Sequence, residues 1–284
     1  MDTKQKIEEA QTVLDAGGNV IKTRDDRELI LVDKDGKVQN ADACGWLPDT
    51  SEVNKTIFRS RIEPWLTSLF QSEHLSLLCG SGITNAISFL AGASGGATMG
   101  LTTFTKYKDE IKAFAEVSAK ASGRENGNIE DQIRTANDLL RGLKILKKDA
   151  EATALETELN SIISEFAKSI LRTENSIATA NEDKRENAYS VLVNFLLSFA
   201  SRTGNRERLN IFTTNYDRLI EVGAELAGVH LMDRFVGTMM PVFRSSRLNL
   251  DIHYNPPGIR GEPRYLEGVA RLTKLHGSVD WIQN

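Results

Sequence analysis

Cysteine is scarce. Cys44 and Cys79 are the only two in 284 residues, too few for a disulfide framework or a four-cysteine zinc site. Cys79 closes an apolar run and reads as a small core residue rather than a reactive thiol. Proline is scarce where it would matter most: none falls between Pro64 and Pro241, so nothing there forbids a long helical stretch. Long apolar runs are missing too. The most apolar stretch, Val191 to Ala200, falls well short of the ~20 residues that a bilayer span needs. The opening, Met1 to Ala10, is a charged helical pattern rather than a secretory leader. A cytoplasmic, reducing setting without a membrane partner is therefore expected. Positive charge is not in excess either. A net charge of −4 gives no electrostatic reason to expect direct nucleic-acid binding.

What is present is ordinary in bulk, with 40% hydrophobic and 26% charged residues, and informative in three places. Leu209 to Thr213 reads as a short strand, and from Tyr216 the apolar spacing turns helical through Leu219, Ile220, Val222, Ala224 and Leu226, with a stop at Gly228. Thr214, Asn215 and Asp217 thus stand where a strand hands over to a helix. His74 to Cys79 is a strand running into Gly80-Ser81-Gly82-Ile83-Thr84-Asn85. Leu272 to Leu275 is a strand running into His276-Gly277-Ser278-Val279-Asp280-Trp281. If these strands are parallel neighbours, all three clusters fall on one carboxyl edge of an α/β sheet, the edge where such sheets bind ligands. The expected fold class is α/β, with a Rossmann-like parallel sheet, a large helical insertion and a small N-terminal α/β appendage.

The remaining stretches fill in around that sheet. Residues 4–16 read as an amphipathic helix ending at Gly17-Gly18, and 20–38 as a small β-meander with turns at Asp25-Asp26 and Asp35-Gly36. Asp33-Lys34-Asp35-Gly36 lacks the remaining ligands of a calcium loop and reads as a turn. Trp46 to Asp49 reads as a linker, and 55–72 as a helix that Pro64 either kinks or divides. The glycine-rich run from Ala91 to Gly100 is either a mobile lid or a plain surface loop. From 104 to about 202 the chain is expected to be helical. Asn128 serves there as a cap, and Ile133, Leu139, Leu140 and Leu143 form an apolar face. Leu155, Leu159, Ile162, Ile163, Phe166 and Ile170 stripe a later helix, and 191–199 reads as the most buried one. A further strand is expected within 229–235. Asn255 to Gly258 and Gly261 to Pro263 mark an irregular loop. The expected organisation is an appendage over 1–54 and a domain over 55–284. Its Rossmann parts are 73–103 and 205–284, around a helical module at 104–204.

Gly80-Ser-Gly-Ile-Thr84, Thr213-Thr-Asn-Tyr-Asp217 and Lys274-Leu-His-Gly-Ser-Val-Asp-Trp281 resemble the SIR2-like family. They look more like its zinc-free bacterial branch, found in anti-phage NADases, than like protein-deacetylating sirtuins. Phe235-Val236-Gly237 and Asn128-Ile129-Glu130 look like lesser landmarks of that branch. The resemblance implies a SIR2-like NAD-binding fold and an NAD+ glycohydrolase that releases nicotinamide and depletes the cofactor of an infected bacterial cell. NAD+ would be its substrate, no metal would take part, and a phage-derived activator or a partner defence subunit could control it. Backbone N–H groups at Gly80, Ser81 and Gly82 would approach the pyrophosphate, with Thr84 and Thr214 completing the cofactor-binding set. Asn215 would position the nicotinamide ribose or the attacking water. Asp217 would orient that site or serve as a first-turn helix residue. His276 would be the base.

The sequence also departs from the deacylase pattern. It has no Cys-x-x-Cys module and no Asp-Phe-Arg element after Thr84. NAD-dependent deacylation, or a non-catalytic NAD- or ADP-ribose-binding sensor or assembly role, are the alternative readings. No further strands follow the His276-Gly277 motif, so the sheet is expected to be incomplete at its C-terminal side and the chain to be a piece of a longer protein. The N-terminal meander is too small to bury a core alone. It is expected to contribute to a homo-oligomer interface, with packing on its own chain as the open alternative.

Overall fold

The computed structural model describes residues 3–21, 30–35, 37–38, 55–93, 99–201, 207–237, 239–244, 246, 251–255 and 264–281. Contacts divide the chain into two units, Met1–Ser72 and Glu73–Asn284.

In the first unit, helix α1 (Thr3–Asp15) ends in a turn where Gly17 takes a φ of 79° and Gly18 N–H donates to the Val13 carbonyl at 2.9 Å. A Cβ on Gly18 would stand 2.4 Å from the Val32 carbonyl, so only glycine lets the chain pass from the helix into the strands. Strands β1 (Asn19–Ile21) and β2 (Ile30–Val32) pair antiparallel. Ala10 and Val13 of the helix pack with Leu31 and Val20 of the strands. Asp33 Oδ1 accepts from the N–H groups of Asp35 and Lys37 at 2.9 and 2.8 Å, which makes this stretch a turn closed by its own side chain. The turn at Asp25-Asp26, Gly36 and the stretch 46–49 lie outside the described residues. Helix α2 (Lys55–Phe70) runs through Pro64 as one element. The sequence-based boundary at 54 lies ahead of this helix, and the contact boundary lies behind it.

The second unit is built on a four-stranded, all-parallel sheet: β3 (Ser76–Cys79), β4 (Leu209–Thr213), β10 (Val269–Lys274) and β5 (His230–Met232), in that spatial order. Between β3 and β4 come α3 (Ser81–Ala91), α4 (Lys108–Ala121), α5 (Ile129–Ile145), α6 (Asp149–Ala178) and α7 (Glu182–Ala200). This is the helical module that the proline-free stretch implied. Asn128 starts α5 through a complete capping box. Its side chain accepts from Asp131 N–H, and Asp131 accepts from Asn128 N–H. Phe104, Ile111, Leu140, Leu143, Leu155 and Leu159 form the module's core.

Helix α8 (Leu219–Leu226) joins β4 to β5. After β5, the pairs β6 (Phe235–Val236) with β7 (Val242–Phe243) and β8 (His253–Tyr254) with β9 (Arg264–Tyr265) precede β10. The last of these pairs flanks the loop whose two proline-glycine clusters lie outside the described residues, as do 94–98 of the glycine-rich run. Among the described residues no helix is long and apolar enough to cross a membrane, and no His, Cys, Asp and Glu cluster could hold a metal ion.

One expectation fails. Helix α7 is not buried on most sides: Ala188, Leu192, Leu196 and Ala200 form a single four-residue stripe that is buried, while Val191 and Phe195 are exposed. The stripe packs on α3 and α8, so α7 is an outer layer and its other apolar residues reach solvent. Ile163 on α6 is likewise exposed.

Candidate active site at the carboxyl edge of the sheet

Registry fixes the site. Cys79 pairs with Thr213 and Thr213 with Lys274, so three strands end on one line across the sheet. The residues that follow them must emerge together. Leu275 N–H donates to the Thr213 carbonyl at 2.8 Å and Thr214 N–H to the Cys79 carbonyl at 3.3 Å, which carries the alignment one residue past the strands. Burial pushes the Cys79 thiol up, as suits a core residue.

Ser81, Thr84, Thr214, Asn215, Asp217 and His276 line one cavity of about 220 Å3, together with Asn85, Met99, Glu130, Phe166, Ile170, Thr173 and Tyr216. The sheet edge supplies the first group. Much of the second comes from α5 and α6, so the helical module roofs the cavity. Six of the eight residues singled out from sequence therefore meet here. Gly80 and Gly82 do not line the cavity but flank Ser81, where α3 begins. Gly80 is extended (φ −119°, ψ −165°) with no side-chain cap over the helix start, which leaves N–H groups of the first turn without intrahelical partners. A Cβ on Gly82 would meet nothing within 4 Å, and one on Gly80 only Thr214 Oγ1 at 3.8 Å. Neither glycine is demanded by a left-handed φ or by internal packing.

Inside the cavity a directed chain of hydrogen bonds fixes Asn215. Its Nδ2 donates to the Gly80 carbonyl at 2.9 Å and to Thr84 Oγ1 at 3.0 Å. Thr84 in turn donates to Asp217 Oδ2 at 2.6 Å, and Asp217 Oδ1 accepts the Leu219 N–H at 3.1 Å. A carbonyl can only accept, so the amide orientation of Asn215 is determined and its Oδ1 is the atom left to face the cavity. Asp217 has both oxygens engaged. It stands ahead of α8, which begins at Leu219, and not in that helix's first turn; it reaches Asn215 through Thr84.

His276 is 43% exposed, with Nδ1 3.2 Å from Glu130 Oε1. The same oxygen accepts the Tyr216 hydroxyl at 2.7 Å. Burial, and then this bond to Glu130, pushes the Tyr216 phenol well above its ordinary range, so it stays a donor. Lys274 is almost fully buried and spends its three protons on the Asp217 carbonyl, Glu221 Oε1 and Ser278 Oγ, at 2.6 to 2.8 Å. It ties the end of β10 to the central motif and is not free for a ligand. Arg218 grips Glu174 of α6 with its Nε and Nη2 groups and so fixes the roof to the sheet edge.

Glu130 and Tyr216 are the residues that sequence reasoning did not place in the site. Both stood inside stretches it had marked, and neither had a local pattern that gave its side chain a role. A larger hollow of about 960 Å3 opens beside the 274–281 segment, lined by Glu221, Lys274, Phe235, Phe243 and Trp281 among others. It shares no lining residue with the smaller cavity and contains none of the residues singled out for chemistry. Compared with known proteins, the sequence matches no family model and no curated protein.

Proposed function

We propose that this chain carries a SIR2-like NAD+ glycohydrolase site, cleaving the bond between nicotinamide and ribose. The observation that carries the reading is the meeting of Asn215 and His276 in one small cavity at the aligned ends of three parallel strands. The reaction breaks the C1′–N bond and leaves its electron pair on the pyridinium nitrogen, so nicotinamide departs neutral and needs no acid. The ribose carbon becomes oxocarbenium-like and takes up water, whose proton goes to a base. The products are nicotinamide, ADP-ribose and a proton.

Each demand of that chemistry has a matching residue. The Asn215 Oδ1 can accept from a ribose hydroxyl or from the attacking water. His276 can take the proton. The Asp217 carboxylate, which reaches Asn215 through Thr84, lends negative potential to the cavity in which positive charge would develop on the sugar. The uncapped start of α3, flanked by two glycines, suits the pyrophosphate. A role as an anti-phage effector that depletes NAD+ rests on the motif resemblance.

The test is incubation with NAD+ and chromatographic measurement of free nicotinamide. Asn215→Ala and His276→Ala should each abolish release by about a hundredfold or more, with circular dichroism unchanged. Near-wild-type turnover in either variant would remove the role given to that residue. Release from neither variant nor the parent, with NAD+ still bound, would favour a binding module instead.

A further inference from the structure

We propose that Glu130 is the positioning residue for His276: it holds the imidazole with its proton on Nδ1 and leaves Nε2 as the base. This deepens the NAD+-cleavage reading and rests on it. Glu130 has no necessary part in starting its own helix, because Asn128 and Asp131 already close the capping box of α5. Its side chain turns instead to the sheet edge, where Oε1 accepts the Tyr216 hydroxyl and stands 3.2 Å from His276 Nδ1.

Tyr216 sets the spacing between them. Its phenol donates to Glu130, while its backbone carbonyl accepts from Val279 N–H at 3.1 Å and Ser278 Oγ at 3.3 Å. The segment that carries His276 and the carboxylate that faces it are thus both hung on one residue. Phe166 braces that residue's ring edge-on at 5.6 Å. A neutral imidazole presents one N–H and one lone pair. A carboxylate facing Nδ1 selects the tautomer with the proton there and the lone pair on Nε2. This is the arrangement in which an acid orients a histidine base without touching substrate.

The experiment reads the ring directly. In the 15N-labelled full chain, in alkaline buffer where imidazoles are neutral, the His276 nitrogens are assigned by their loss in His276→Ala. The parent should show a protonated Nδ1 and an unprotonated Nε2. Glu130→Ala should shift the signals toward Nε2–H and lower kcat for nicotinamide release roughly tenfold or more, with KM little changed. Glu130→Gln, which keeps a carbonyl acceptor, should restore both in large part. Tyr216→Phe, which frees the carboxylate, should give mixed ring signals. Ring signals unchanged in both Glu130→Ala and Tyr216→Phe overturn the proposal, whatever the rates do. A parent that releases no nicotinamide overturns the cleavage reading, while the ring signals still decide the part played by Glu130.

Discussion

Thr84 shows how much a single hydroxyl organises. It is buried, accepts from Asn215 and donates to Asp217, so the polarity of the whole chain of bonds passes through it. Thr84→Val keeps the shape but leaves Asp217 Oδ2 without a donor and Asn215 Nδ2 with one acceptor fewer. The expected cost is about 1–3 kcal/mol in denaturant unfolding. Nicotinamide release should also fall, because Asn215 is no longer held. Thr84→Ser should recover both. Equal stability and turnover in the valine variant would mean that Asn215 is positioned by the Gly80 carbonyl alone. That Thr84, Asn215 and Asp217 would come together was legible because each stands just past the end of a strand in a short motif. Glu130 was not, since it stands 86 residues from Tyr216 in sequence. The Asn128 cap predicted where its helix starts but not what its side chain reaches.

Helices were legible as elements and less so as neighbours. Apolar spacing located α5, α6 and α7, and Asn128 located a start. The apolar run at 191–199 suggested burial on most sides. Periodicity reports how many apolar residues a helix has, not how many faces find a partner. What limits α7 is Gly223 on α8: a Cβ there would stand 2.7 Å from Leu192 Cγ and 2.8 Å from Leu196 Cδ1. The two helices touch through a single stripe with no spare room. Gly223→Ala should therefore destabilise, because overpacking at about 1–3 kcal/mol exceeds the ~1 kcal/mol gained in helix propensity. A Cβ on Gly142, inside α5, would stand in open space, so Gly142→Ala should stabilise by up to ~1 kcal/mol. Opposite shifts of the urea midpoint are the expected result, and a raised midpoint for Gly223→Ala would refute the close-packed interface.

Across the whole second unit, the sheet divides its labour between its two ends. The carboxyl ends hold the cavity. At the opposite ends, buried Arg208 donates to Asp251 Oδ1 at 2.6 Å and to the carbonyls of Ile252 and Leu266, while Arg271 donates to Asp251 Oδ2 at 2.8 Å. Burial raises the Asp251 pKa, but the hydrogen bonds from Arg208 and Ile252 N–H and the two guanidinium charges outweigh it, so the carboxyl titrates below its ordinary value. Asp131 behaves alike. Burial opposes ionisation, and the bonds from Arg124 and Asn128 with the charges of Arg124 and Arg134 prevail. A depressed folded pKa adds stability above the unfolded value, and that stability is lost as pH falls through the folded one. Glu221 has the reverse sign. Burial lifts it despite Lys274, so its unfavourable share is already taken at neutral pH. The thermal midpoint should hold near neutrality and fall steeply once pH drops below about 4, the range of unfolded carboxylates. Asp251→Asn removes one of the depressed carboxylates. It should start lower at neutral pH and decline more gently in acid, so the two curves converge. Parallel curves would show that the Arg208–Asp251–Arg271 cluster is not what acid undoes.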